Sequence, residues 1–130
     1  MSKSRDKGTR YENHVRDRLL RRVWPEVERR AQQGTNDYGD FINCGDVLVE
    51  AKWRKKIYGE IWGWIGTVLT KVGWREHHLG VLTGSLPWVI VFAQDKRFSP
   101  KIDLVVTDAE RYFNDQARLR ELEIRCGADE

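Results

Sequence analysis

Cysteine, proline and methionine are scarce in this chain: its 130 residues hold two, three and one of them. Two cysteines, Cys44 in a turn and Cys126 near the end, argue against a disulfide framework and give a structural zinc site no paired spacing. A reducing, intracellular and cytoplasmic setting is the expectation. Long apolar runs are missing too. Nothing after Met1 has the apolar core of a secretory signal. The run from Ile57 to Trp74 is broken by glycines and bounded by charges, so no membrane span is expected. There is no internal repeat and no low-complexity segment. The length suits one domain, 1–130, with a modest core and frayed residues at 126–130.

What is present is charge, unevenly placed. Residues 1–30 hold ten basic and five acidic residues, whereas residues 108–130 hold four and seven. A basic surface built from the N-terminal third would attract a polyanion; a solvated charged helix accounts for the same count. Tryptophan is abundant, at six. Trp24, Trp64 and Trp88 fit core or boundary positions, Trp62 and Trp74 fit the surface, and Trp53 lies on a strand face. Aromatics among Lys and Arg can stack on bases, although core packing is the commoner use.

The stretch from Gly39 to Lys52 carries the chemistry. Val47 to Trp53 alternates as a buried strand, with Glu50 and Lys52 on one face and Val47, Val49, Ala51 and Trp53 on the other. Asp40 to Asn43 forms a shorter strand, joined through Cys44-Gly45-Asp46. Pairing Asn43 with Val47 sets Asp40 directly opposite Glu50. Two carboxylates so placed repel unless a cation neutralises them, and hard oxygen ligands suit Mg²⁺, with Mn²⁺ as a substitute. Lys52 would add positive charge for an attacked phosphodiester. Asp37, in the polar Gln33–Gly39 loop, competes with Asp40 as ligand. An isolated Glu-x-Lys on a solvated edge is the plain alternative.

Helical periodicity from Arg10 to Trp24 puts Tyr11, Val15, Leu19, Leu20 and Val23 on one side, with Glu12 in the middle of that stripe. Glu12 either snorkels out or reaches into the polar site. Arg16, Arg18, Arg21 and Arg22 flank the stripe. Glu26 to Gln32 is read as a first strand with Val27 inward. A second helix, Ile57 to Val72, has Ile57, Ile61, Trp64, Ile65, Val68, Leu69 and Val72 on one face and Gly59, Gly63 and Gly66 on the other, open to a close partner or to a kink. His77-His78 is read as surface loop. Trp88 to Ala93 is a central strand, Asp103 to Thr107 its neighbour, and Asp108 to Glu121 a terminal helix capped by Asp108. The expected fold class is α/β, a mixed β-sheet of about five strands flanked by α-helices.

Glu12 on a first helix, Asp40 on a strand, and Glu50-Ala51-Lys52 on the next strand, followed by a helix and a buried strand, resemble the PD-(D/E)XK nuclease superfamily with its restriction-endonuclease-like core. The small size, the basic start Lys7-Gly8-Thr9-Arg10-Tyr11-Glu12 and the loop before Gly39-Asp40 resemble the archaeal-type and phage-type Holliday junction resolvases. The similarity covers roughly residues 7–94. The usual proline before the aspartate is Gly39 here. The resemblance implies that Asp40, Glu50 and the Ala51 backbone carbonyl bind Mg²⁺, that Lys52 orients the attacking water, and that Glu12 acts through a second metal or a water. It further implies a homodimer cutting four-way DNA junctions to leave 5′-phosphates. Lys7, Arg10, Arg16, Thr35, Asn36, Arg54, Lys55 and Lys56 are the candidate DNA contacts. Two other readings stand beside it: a restriction-like or repair nuclease acting on duplex or flap DNA, and a non-catalytic nucleic-acid-binding module.

Overall fold

The computed structural model describes residues 3–30, 39–54, 59–94 and 102–128. Helix α1 (Lys3–Arg18) leads through a 3-10 turn at Leu20–Arg22 into strands β1 (Glu28–Arg29), β2 (Phe41–Ile42) and β3 (Leu48–Arg54). Helix α2 (Glu60–Leu79), strands β4 (Trp88–Gln94) and β5 (Leu104–Thr107), and helix α3 (Ala109–Ala128) follow. The molecule is therefore mixed α/β, with the element order read from the sequence. Among the described residues there are five strands, divided into an antiparallel pair, β1-β2, and a three-stranded sheet ordered β3-β4-β5.

Parallel pairing of β3 with β4 sets Glu50 beside Ile90 and Ala51 beside Val91, and β5 runs antiparallel on the far side of β4. Because β4 lies in the middle, its residues must be apolar on both faces. Ile90 and Val91 are both buried, one on each side. The sheet thus separates two cores. Val49 and Ala51 pack with Tyr11 and Val15 of α1, with Val27 and with Phe41, while Leu48 packs with Trp64, Val68 and Val72 of α2. Val15, Val27 and Val49 are wholly buried, which stabilises the α1 face by about 1.5–3 kcal/mol for each side chain.

Several boundaries differ from the sequence expectation. Helix α1 begins at Lys3 rather than Arg10 and ends at Arg18, where the chain tightens into the 3-10 turn. That turn rotates Val23 out of the expected stripe, and it is 65% exposed. Helix α2 continues beyond Val72 to Leu79, so His77 and His78 lie in its last turn rather than in a loop. Its C-cap is Gly80 in the left-handed conformation. Buried Glu76 explains the extension, because its carboxylate accepts the Leu86 N–H at 3.0 Å and ties the helix end to the next segment. Leu69 is half exposed, on the flank of the stripe rather than within it. Helix α3 reaches Ala128, so Cys126 and Gly127 are helical rather than frayed. Asp108 does cap it, accepting the Arg111 N–H at 3.1 Å. Trp24, Trp64 and Trp88 are partly or wholly buried, and Trp62 and Trp74 exposed, as expected. Among the described residues no helix is long and apolar enough to cross a membrane.

Candidate active site

Asp40 is gripped from two sides. The Arg30 N–H donates to its carbonyl at 2.8 Å, and its own N–H donates to the Val49 carbonyl at 3.0 Å. The residue therefore bridges Arg30, just after β1, and β3. Among the described residues the expected hairpin ladder between β2 and β3 does not form: β2 pairs with β1 and β3 with β4, and the Asp40 main chain meets Val49 rather than Glu50. Asn43 and Gly45 both take left-handed backbone, with φ of 61° and 64°, and the connection runs from Asn43 to Val47 rather than through Cys44 to Asp46 alone.

The side chain makes the approach to Glu50 that the main chain does not. Asp40 Oδ2 accepts the Ala51 N–H at 2.9 Å, so the carboxylate leans along the edge of β3 and reaches Glu50. Burial pushes the Asp40 carboxyl up to about 8; the Glu50 charge, and a hydrogen bond to Glu50 that only protonated Asp40 can donate, push the same way. Against them stands the Ala51 N–H, and the Glu12 charge adds a smaller push upward. Two carboxylates and a main-chain edge thus meet at one place.

Glu50 itself is 1% exposed and points toward α2. There the Lys71 ammonium forms an ion pair with Glu50 Oε1. Lys71 was not among the expected site residues. A signal for it exists in the sequence: between Glu60 and Arg75 it is the single charged residue, three residues after Val68 and seven after Trp64 on the buried stripe. Lys52, two residues along β3 from Glu50, is half-buried and makes no hydrogen bond or ion pair among the described residues. Glu12 is also half-buried, and its Oε2 accepts from Arg29 Nε at 2.9 Å. It neither snorkels free nor enters the Asp40–Glu50 contact, but lies at its margin.

The donor set fits a divalent cation. N–H and C=O of one strand residue point to the same side, so the Ala51 carbonyl shares the edge where its N–H meets Asp40. Asp40, Glu50 and that carbonyl are hard oxygen donors, and Mg²⁺ is content with one or two carboxylates and several waters. Among the described residues no three His, Cys, Asp or Glu side chains gather as a metal cage, which leaves Glu12 outside the immediate set.

The expected DNA contacts separate into groups. Lys7 lies 5.0 Å over the Trp53 ring, and Arg10 is exposed beside it. Arg16 is held within the protein by Asp17 at 2.9 Å and Glu28 at 3.6 Å. Arg54 approaches Glu60 at 3.9 Å and lies 5.9 Å over Trp64. Thr35, Asn36, Asp37, Lys55 and Lys56 lie outside the described residues. Gly63 and Gly66 do face outward from α2, with open space where a Cβ would stand.

One departure from the resemblance has a local reason. Gly39 has φ of 104°, and a Cβ there would meet the Val49 carbonyl at 3.0 Å and the Leu48 side chain at 3.1 Å. Proline, locked near φ −65°, cannot adopt that backbone. The chain matches no family model, no curated protein and no solved structure.

Proposed function

We propose that this chain is a Mg²⁺-dependent DNA endonuclease acting on branched DNA, four-way junctions foremost. The observation that carries the reading is the buried meeting of Asp40 with Glu50 along the Ala51 edge, an arrangement that raises the Asp40 carboxyl and that a cation would relieve. The order of elements agrees with the resemblance to the PD-(D/E)XK superfamily. Asp40, Glu50 and the Ala51 carbonyl would hold the ion, Mg²⁺ or Mn²⁺, which when bound supplies positive charge to the scissile phosphate and acidifies a water. Lys52, on the Glu50 face of β3, would orient that water and stabilise charge on the phosphoryl oxygens. Hydrolysis would leave a 5′-phosphate and a 3′-hydroxyl. Lys71 acts through Glu50, holding its carboxylate in position. Glu12 would contribute through a water or a second ion. A closed homodimer, one site per strand, belongs to the same reading, and the exposed glycine face of α2 is open to a close partner.

One observation favours a second reading. Lys71 already neutralises Glu50 from within the protein, which a binding module without catalysis would tolerate. Cleavage of labelled four-way junction, flap, duplex and single-stranded DNA, with Mg²⁺ or EDTA, separates the two. The nuclease reading expects metal-dependent cuts that Asp40→Asn abolishes while junction binding persists. Paired cuts confined to the junction support a resolvase; cuts in duplex or flap point to a restriction-like or repair enzyme. No cutting of any form, with binding intact, would leave the module.

A further inference from the structure

On the α1 side of the sheet, opposite Glu50 and Lys52, a cavity of about 400 Å³ opens at the carboxyl ends of β3 and β4. Lys7, Arg10, Tyr11, His14, Trp53 and Asp103 line it. Its floor is aromatic and its rim cationic. Trp53 is half-buried against the α1 core, so its ring is fixed rather than swinging in solvent. Lys7 lies over that ring and Arg10 stands exposed beside it. On the opposite wall Asp103 acts as a brace: one of its oxygens accepts the Tyr11 hydroxyl at 2.9 Å and the other meets His14 Nε2 at 2.8 Å. The two rings are stacked at 5.8 Å between centroids. With Asp103 engaged by Tyr11 and His14, the positive groups at the mouth, Lys7 and Arg10, meet an incoming ligand first.

A fixed indole face, two cations at the entrance and a polar ring edge suit a flat aromatic group carrying a phosphate. The volume lies within the range of about 300–1,000 Å³ common for small-ligand sites. In open sheets with parallel strands, ligands collect beyond the carboxyl ends of the strands, where this cavity lies. We propose that it binds one unpaired nucleotide, its base stacked on Trp53 and its phosphate held by Lys7 and Arg10. Binding displaces the Lys7 ammonium from the ring toward the phosphate, exchanging one partner of the cation for another. Lys52 and Trp53 are consecutive and face opposite sides of β3, so the carboxylate site and this cavity lie on the two faces of one strand. The inference rests on the nucleic-acid reading above and deepens it: a nuclease with a seat for an unstacked base selects branched or frayed DNA over continuous duplex.

Calorimetric titration of the whole chain with deoxythymidine 5′-monophosphate, thymidine and inorganic phosphate tests it. The nucleotide is expected to bind at least tenfold more tightly than either fragment. Trp53→Ala, which removes the stack, is expected to weaken it about 5- to 150-fold. Because Trp53 packs on the core, the exposed-site variant Arg10→Glu and the ring-preserving Trp53→Phe accompany it: the first should lose binding and the second keep most of it. Asp40→Asn should leave nucleotide binding unchanged, so loss of cleavage and loss of this site are separable. Phosphate binding as tightly as the nucleotide, or nucleotide binding indifferent to Arg10→Glu, overturns the assignment.

Discussion

Replacing Asp40 with asparagine should make the metal-free protein more stable, and increasingly so as pH rises. Burial and Glu50 lift the Asp40 carboxyl from 3.8 to about 8. Between those values the native protein binds a proton that the unfolded chain has released, so the stabilisation is complete below pH 4 and is lost as pH climbs toward 8. The slope reaches about 1.4 kcal/mol per pH unit. Asparagine copies the protonated acid: its oxygen can accept the Ala51 N–H and its amide can donate to Glu50, yet it has no proton to lose. From pH 5 to pH 7 the natural protein should therefore lose up to about 3 kcal/mol relative to Asp40→Asn. With a urea slope of about 1–3 kcal/mol per molar, that separates the unfolding midpoints by about 1–3 M. Urea titrations followed by tryptophan fluorescence at pH 5, 6, 7 and 8 read it directly. Adding Mg²⁺ should stabilise the natural protein and flatten its profile, and leave the variant unmoved. Parallel pH profiles for the two proteins would refute the reasoning, because Asp40 would then carry no raised proton affinity.

Lys71→Met should destabilise the fold by about 3–5 kcal/mol, since Glu50 would remain buried without its ammonium; thermal unfolding checks it, and an unchanged midpoint would deny that the pair matters. Gly39→Ala should cut DNA cleavage at least tenfold with Mg²⁺ binding weakened in parallel, because φ of 104° and the 3.0 Å approach to the Val49 carbonyl force the neighbouring Asp40 to move. Cleavage at the natural rate would mean that the site tolerates a displaced Asp40. Asp108→Ala should cost about 1 kcal/mol through loss of the bond to the Arg111 N–H, measurable by chemical unfolding, with cleavage unaffected. Junction binding should weaken steeply with salt if Lys7 and Arg10 touch phosphates, whereas a flat response would remove them from the interface.

Where a pattern is local, the sequence carried it. Alternation through residues 47–53 assigned Val49 and Ala51 to one core and left Glu50 on the other face, and the apolar run from Trp88 marked the middle strand of its sheet. The N-terminal turns of α1 escape a reading by periodicity because Lys3 to Thr9 has no apolar stripe to reveal one. Lys71 was missed for a different reason. It lies 21 residues beyond Glu50, and nothing in either segment states that α2 crosses β3 at that point. The pairing of β2 with β1 rather than with β3 has a similar origin, since nothing local states which neighbour so short a strand takes. Asp40 and Glu50 still meet, because the Asp40 side chain reaches the Ala51 N–H on the edge of β3.

The left-handed backbone at Gly39 also bears on engineering. Consensus substitution, which replaces an unusual residue by the one common among look-alikes, often raises stability at little cost. Here it would begin by writing proline at position 39, the residue customary before such an aspartate. The chain enters its acidic site through a conformation that proline forbids, so the change most strongly urged by analogy would dismantle the site that motivated the analogy.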